Sequence, residues 1–206
     1  GRRPGEDVVL GVDAAAQTLW EQGDKACYRL HCGGRDYDAA GLIEFWSEMA
    51  RSFPIASIED GLRENDWQAW PQLTARLGER LQIVGDDLLV TREEFIRRAI
   101  RERSANSLLV KANQVGTLTE TLDSVRLAQT AGWTTVASHR SGETEDTTLA
   151  DLAVAVSAGQ IKTGAPARTE RVAKYNRLLR IEEELGSSAH YAGAAALKGR
   201  LGLSGA

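Results

Sequence analysis

One pattern constrains this chain more than any other. A short apolar run ends in a polar residue, a loop follows, and then an amphipathic helical stretch, and the unit recurs along the sequence. The runs are Val8-Val9-Leu10-Gly11-Val12, Ile55-Ala56-Ser57-Ile58, Leu81-Gln82-Ile83-Val84, Leu108-Leu109-Val110, Thr135-Val136-Ala137 and Gln160-Ile161. They are short and mostly aliphatic, which suits strands buried on both faces.

The stretches between them repeat with a helical period. Ala39 to Arg51 puts Leu42, Ile43, Phe45, Trp46 and Met49 on one stripe, and Arg92 to Arg103 does the same with Phe95, Ile96, Ala99 and Ile100. Leu118 to Ala131, Thr147 to Ala158 and Arg168 to Leu185 follow suit. Thr91 with Glu94, and Thr117 with Glu120, have capping-box spacing. Gly132, Gly159 and Gly186 stand where helices are expected to stop. Residues 25–34 read as an extra hairpin ahead of the first helix.

Strands alternating with helices imply a parallel sheet with right-handed crossovers. An open doubly wound sheet and a (β/α) barrel both satisfy that pattern. The polar residues favour the barrel. Asp13, Glu59, Asp86, Lys111, His139 and Lys162 each fall at or just past the end of an apolar run. An open sheet would spread them along a line, whereas a barrel gathers them at one mouth, where barrel enzymes keep their active sites.

Composition excludes several classes. The chain is 42% hydrophobic and 26% charged, far from the disordered regime. Its formal net charge of −4 argues against nucleic acid as an obligatory partner. No apolar run reaches the ~18 residues of a membrane span, and the first residues lack a signal peptide's apolar region. Two cysteines make no disulfide framework and point to a reducing cytoplasm.

Three strand-end carboxylates, Asp13, Glu59 and Asp86, suit a hard divalent cation such as Mg2+. The competing reading is that each caps a helix or pairs with a lysine. Lys111, His139, Arg140, Ser141 and Lys162 follow later in the chain. Basic groups facing a metal–carboxylate cluster suggest an anionic substrate held between the two. Arg140 could grip a phosphate as a bidentate fork, with Ser141 adding a donor. Lys111, at the end of an apolar strand, is a candidate general base, or else a lysine salt-bridged to a barrel carboxylate.

Longer strings carry a resemblance. Ser57 to Trp70 (SIEDGLRENDWQAW), Val84 to Thr91 (VGDDLLVT), Val110 to Thr121 (VKANQVGTLTET), Ser138 to Asp146 (SHRSGETED) and Gly159 to Gly186 resemble enolase, in that family's order. The resemblance implies a TIM-type (β/α) barrel with about six of the eight strand–helix units in residues 1–193, followed by a tail, 194–206. It implies Mg-dependent, reversible dehydration of 2-phosphoglycerate to phosphoenolpyruvate in glycolysis. Asp13, Glu59 and Asp86 match the magnesium ligands and Lys111 the base at carbon 2. Arg140 and Ser141 match the phosphate-holding residues, Lys162 contacts the substrate, and His139 lies in the same loop. Homo-oligomers, dimers or higher, are usual in the family.

There are departures. Gln17-Thr18-Leu19-Trp20 replaces the family's usual Ser-Glu-Phe-Tyr, and Ala112 replaces a larger apolar residue. The family's general-acid glutamate and its closing loops belong to segments preceding those matched here. A closed barrel needs about 250 residues, so the sequence reads as a portion of a longer protein. The alternative function is an inactive enolase fragment serving as a binding or scaffold module. A divergent enzyme acting on another carboxylate fits less well, because the HRSGETED loop is intact. Among smaller signals, Cys27, His31 and Cys32 read as ordinary hairpin residues, since a second pair of metal ligands is missing. Arg97, Arg98, Arg101 and Arg103 read as a solvated helix face, and Trp67 and Trp70 as wall packing.

Overall fold

The computed structural model describes residues 1–22, 26–30 and 34–197. Six strands form one parallel sheet: β1 (Leu10–Asp13), β5 (Ile55–Glu59), β6 (Gln82–Gly85), β7 (Ser107–Val110), β8 (Thr134–Ser138) and β9 (Ile161–Lys162). They pair in chain order, each parallel to the next. Short antiparallel strands β2 (Trp20–Glu21), β3 (Cys27–Leu30) and β4 (Arg35–Tyr37) form a separate sheet. The helices are α1 (Ala39–Ser52), α2 (Trp70–Leu77), α3 (Glu93–Glu102), the one-turn α4 (Ala112–Val115), α5 (Leu118–Thr130), α6 (Thr148–Ala155) and α7 (Thr169–Leu185).

The six-stranded sheet is curled. Five steps of about 4.8 Å would set β1 and β9 about 24 Å apart in a flat sheet. Yet Lys162 Nζ, on β9, lies 2.8 Å from Asp13 Oδ2 on β1 and 2.7 Å from Glu59 Oε1 on β5. No lysine spans a flat sheet of that width. The strands therefore follow an arc of a (β/α) barrel, and their carboxyl-terminal ends face one mouth.

The apolar stripes bury as their spacing demands. Leu42, Ile43 and Trp46 of α1 are buried, as are Ile96 and Ala99 of α3. Strands β6 and β7 are buried at every residue. The edge strand differs: Leu10 is 46% exposed and Val8, just before it, 52%. The expectation of strands buried on both faces therefore fails at β1, which among the described residues pairs with β5 alone. Trp46 Nε1 donates to the carbonyl of Gly61 at 2.8 Å, and Trp70 Nε1 to that of Arg63 at 3.0 Å. Both indoles tie down the loop that follows Glu59. Truncating buried Trp70 to alanine would cost about 3–5 kcal/mol and free that loop. Trp67 packs outside on Phe95, with Arg98 over its ring at 4.0 Å.

Thr117 caps α5 as its spacing predicts, accepting the N–H of Glu120 at 3.2 Å. Thr91 does not cap α3. The chain turns through left-handed conformations at Val90 and Thr91, Arg92 takes the cap position, and Thr91 Oγ1 accepts the N–H of Lys111 at 3.0 Å. Helix α6 ends at Ala155, before Gly159, with Ser157 left-handed. The hairpin expected at 25–34 is a three-stranded sheet reaching back to Trp20, where Arg29 bonds Glu21 on one neighbour and Asp36 on the other. Cys27 is a half-buried free thiol, while His31 and Cys32 lie outside the described residues. Among the described residues no helix is long and apolar enough to cross a membrane.

Candidate functional site

The predicted strand-end residues meet at the mouth in two ion-paired groups. Lys162 binds Asp13 and both oxygens of Glu59, at 2.7–2.8 Å. Lys111 binds Asp86 Oδ2. Sheet pairing carries the backbone to these positions: Asp13 stands in register with Glu59, and the N–H of His139 bonds the carbonyl of Lys162 at 2.9 Å. Beyond β1, Ala14 and Ala16 donate to the carbonyls of Glu59 and Asp60.

The electrostatics of the two groups are uneven. Burial pushes Glu59 up to about 7, against the pull of Lys162, with Asp13 and Asp86 adding repulsion. Burial opposes the Lys162 ammonium, yet bonds to Asp13 and Glu59 outweigh it and hold its pKa above the ordinary value. Burial also raises Asp87, helped by neighbouring Asp86. Asp86 Oδ1 is buried and, among the described residues, has no hydrogen-bond partner.

Asp60 was not among the residues expected from the sequence. It follows Glu59 in a left-handed conformation. Its two oxygens accept the N–H groups of Asp86 and Asp87, each at 2.9 Å, clipping the end of β6 to the loop after β5. Burial raises it to about 8. Its signal was only its place beside Glu59.

The carboxylates gather differently from the expected trio. Among the described residues, the set with oxygens within 4.8 Å of one another is Asp60, Asp86 and Asp87, not Asp13, Glu59 and Asp86. The lysines explain this: Lys162 holds Asp13 with Glu59, while Lys111 holds Asp86. Asp60 is committed to two backbone donors. Asp86 keeps a free buried oxygen. A mouth lined with carboxylates, one with an unpartnered buried oxygen, fits a hard divalent cation, which takes oxygen ligands.

The loop after β8 carries Arg140 and Ser141. Arg140 donates to the side-chain oxygen of Asn113 at 2.7 Å, a neutral partner that leaves its charge available to an anion. Ser141 is exposed. Its carbonyl accepts Arg171 Nη2 at 2.8 Å. Helix α7 supplies two buried cations that sequence reading missed. Arg171 bonds His139 Nδ1 and the carbonyls of Arg140 and Ser141. Lys174 bonds Glu143 Oε2 and the carbonyls of Thr144 and Glu170. Glu143 in turn accepts the N–H of Arg140 at 2.9 Å. Charged residues on a helix read as solvent-facing, so nothing in their spacing marked these two.

A comparison with known families agrees with this architecture. The model described as enolase, C-terminal TIM barrel domain, matches residues 2–200, which takes in every strand, every helix and the whole mouth. The chain belongs to the enolase C-terminal TIM barrel family.

Proposed function

We propose that the mouth is the site of Mg-dependent, reversible dehydration of 2-phosphoglycerate to phosphoenolpyruvate, a cytoplasmic step of glycolysis. The observation that carries this reading is the pairing of two lysines with carboxylates around the unpartnered oxygen of Asp86. Asp13, Glu59 and Asp86 would hold Mg2+, which when bound supplies positive charge against the second negative charge that builds on the substrate carboxylate.

This chain's residues divide the remaining work. Lys162 would turn from Asp13 and Glu59 to the anionic oxygens of the substrate. Arg140 would take the phosphate in a bidentate grip, with Ser141 beside it and His139 in the same loop. Lys111, released from Asp86, would take the proton from carbon 2. That electron pair forms the double bond to carbon 3 as the hydroxyl leaves. The hydroxyl takes up a proton as it leaves, from a donor other than the residues assigned above. We also propose that the protein works as a homo-oligomer, with nucleic acid no obligatory partner.

The test is phosphoenolpyruvate formation by the whole native protein. The expected result is turnover that stops when a chelator removes Mg2+ and returns when Mg2+ is restored. Absence of turnover with Mg2+ present would leave a binding or scaffold role instead.

A further inference from the structure

Arg171 reaches the loop after β8 from behind, through a gap that a glycine keeps open. A Cβ placed on Gly164 would lie 2.8 Å from Arg171 Cδ and 3.1 Å from Cγ, and Gly164 has φ +89. Tyr175, one turn along α7, donates its hydroxyl to the Gly164 carbonyl. Arg171 is only 7% exposed, and its guanidinium ends on three acceptors: His139 Nδ1 and the carbonyls of Arg140 and Ser141. A guanidinium only donates. Nδ1 of His139 must therefore be the bare, accepting nitrogen, and the neutral ring carries its proton on Nε2.

We propose that Arg171 is a positioning residue that fixes His139 as the Nε2-protonated tautomer and holds the 140–141 backbone so that its side chains meet the substrate. The substrate half of this inference rests on the function proposed above; the tautomer half does not. The surrounding charges agree. Burial lowers the pKa of His139, and Arg171 on α7, Lys162 on β9 and Lys111 beyond β7 push the same way, against Glu143. A neutral imidazole beside Arg171 can donate from Nε2, which a cationic ring on a lone surface loop would do without choice of tautomer. Lys174 serves as the internal control. It ties the same loop through Glu143 and Thr144 and makes no bond to His139.

The experiment is long-range proton–nitrogen correlation NMR on the whole native protein with labelled histidine, with the His139 signal identified by its loss in His139→Asn. The wild type is expected to show a bare Nδ1 and a protonated Nε2. Arg171→Met is expected to lose the single-tautomer pattern and to move the titration midpoint of His139 upward. Lys174→Met is expected to keep the pattern. A wild-type ring protonated on Nδ1 would overturn the proposal without any variant, even if Arg171→Met fails to fold. So would an unchanged pattern in Arg171→Met, or the same change in Lys174→Met, which would mark general loosening of the loop. Phosphoenolpyruvate formation is measured beside it. A missing activity with the predicted tautomer would sink the proposed reaction and leave the positioning role standing.

Discussion

At the strand ends, Lys111 and Lys162 meet Asp13, Glu59 and Asp86; behind them, α7 presents Arg171 and Lys174 to the loop that carries Arg140 and Ser141. Both regions set cations against oxygens, and they are completed differently. Lys174 has three protons and three acceptors within 2.7 Å, and is 1% exposed. Arg171 likewise ends on fixed backbone carbonyls. At the strand ends Asp86 Oδ1 has no partner among the described residues, and burial pushes Glu59 up to about 7. A saturated buried charge fixes structure, because any movement leaves it unpaired. An unsaturated one is kept ready for something else, and its cost is tolerated for function.

The contrast can be broken in order of expected effect. Lys174→Met should cost about 1–3 kcal/mol in a denaturant titration, because half-buried Glu143 and the carbonyls of Thr144 and Glu170 lose a shared buried donor. Lys162→Met should cost far less, because Glu59 can take up a proton and Asp13 is half-exposed. Equal losses would erase the distinction between the two regions.

Next, Glu59→Gln should weaken Mg2+ binding by more than about 100-fold in calorimetry, beyond what loss of an outer-shell partner costs. Lys174→Met should leave that affinity nearly unchanged. The pH dependence sharpens the same point. Glu59 is raised by burial to about 7, so below that pH a proton competes with the cation for its oxygens. Affinity should fall as pH drops, approaching about tenfold per unit for one competing proton, and the slope should flatten in Glu59→Gln. For folding without metal the sign is opposite. A carboxyl raised above its unfolded value of about 4.3 lends stability at low pH that is lost as pH climbs through about 7. The smallest effect belongs to Arg140→Lys, which keeps the charge and loses the fork. The KM for 2-phosphoglycerate should rise about fivefold to tenfold, equal to ~1 kcal/mol or slightly more, with kcat less affected.

The strand ends were legible because a buried strand is a run of apolar residues, and a charge that stops the run stands out. That is how Asp13, Glu59, Asp86, Lys111 and Lys162 could be named, and the structure does bring them to one mouth. The partners within the mouth were not legible. Which lysine meets which carboxylate depends on how far the sheet curls, and no spacing encodes that. Asp60 was hidden because its work is done by accepting the backbone N–H groups of Asp86 and Asp87, far along the chain. Arg171 and Lys174 were hidden because a charged helix residue usually faces water. Here the loop after β8 packs on α7 and turns them inward. Thr91 was misread as a cap because its spacing from Glu94 was right while the left-handed turn at Val90 and Thr91 moved the helix start. Thr117 had the same spacing and no such turn, and it caps.

Lys111, at the unsaturated end of the sheet, is the proposed base that takes the proton from carbon 2. The direct measurement is exchange of that proton with deuterated solvent, followed by mass spectrometry of 2-phosphoglycerate with Mg2+ and the whole native protein. Exchange is expected in the wild type and none above background in Lys111→Ala, with the variant folded by circular dichroism. Exchange that persists in Lys111→Ala at the wild-type rate would contradict the assignment of Lys111 as that base.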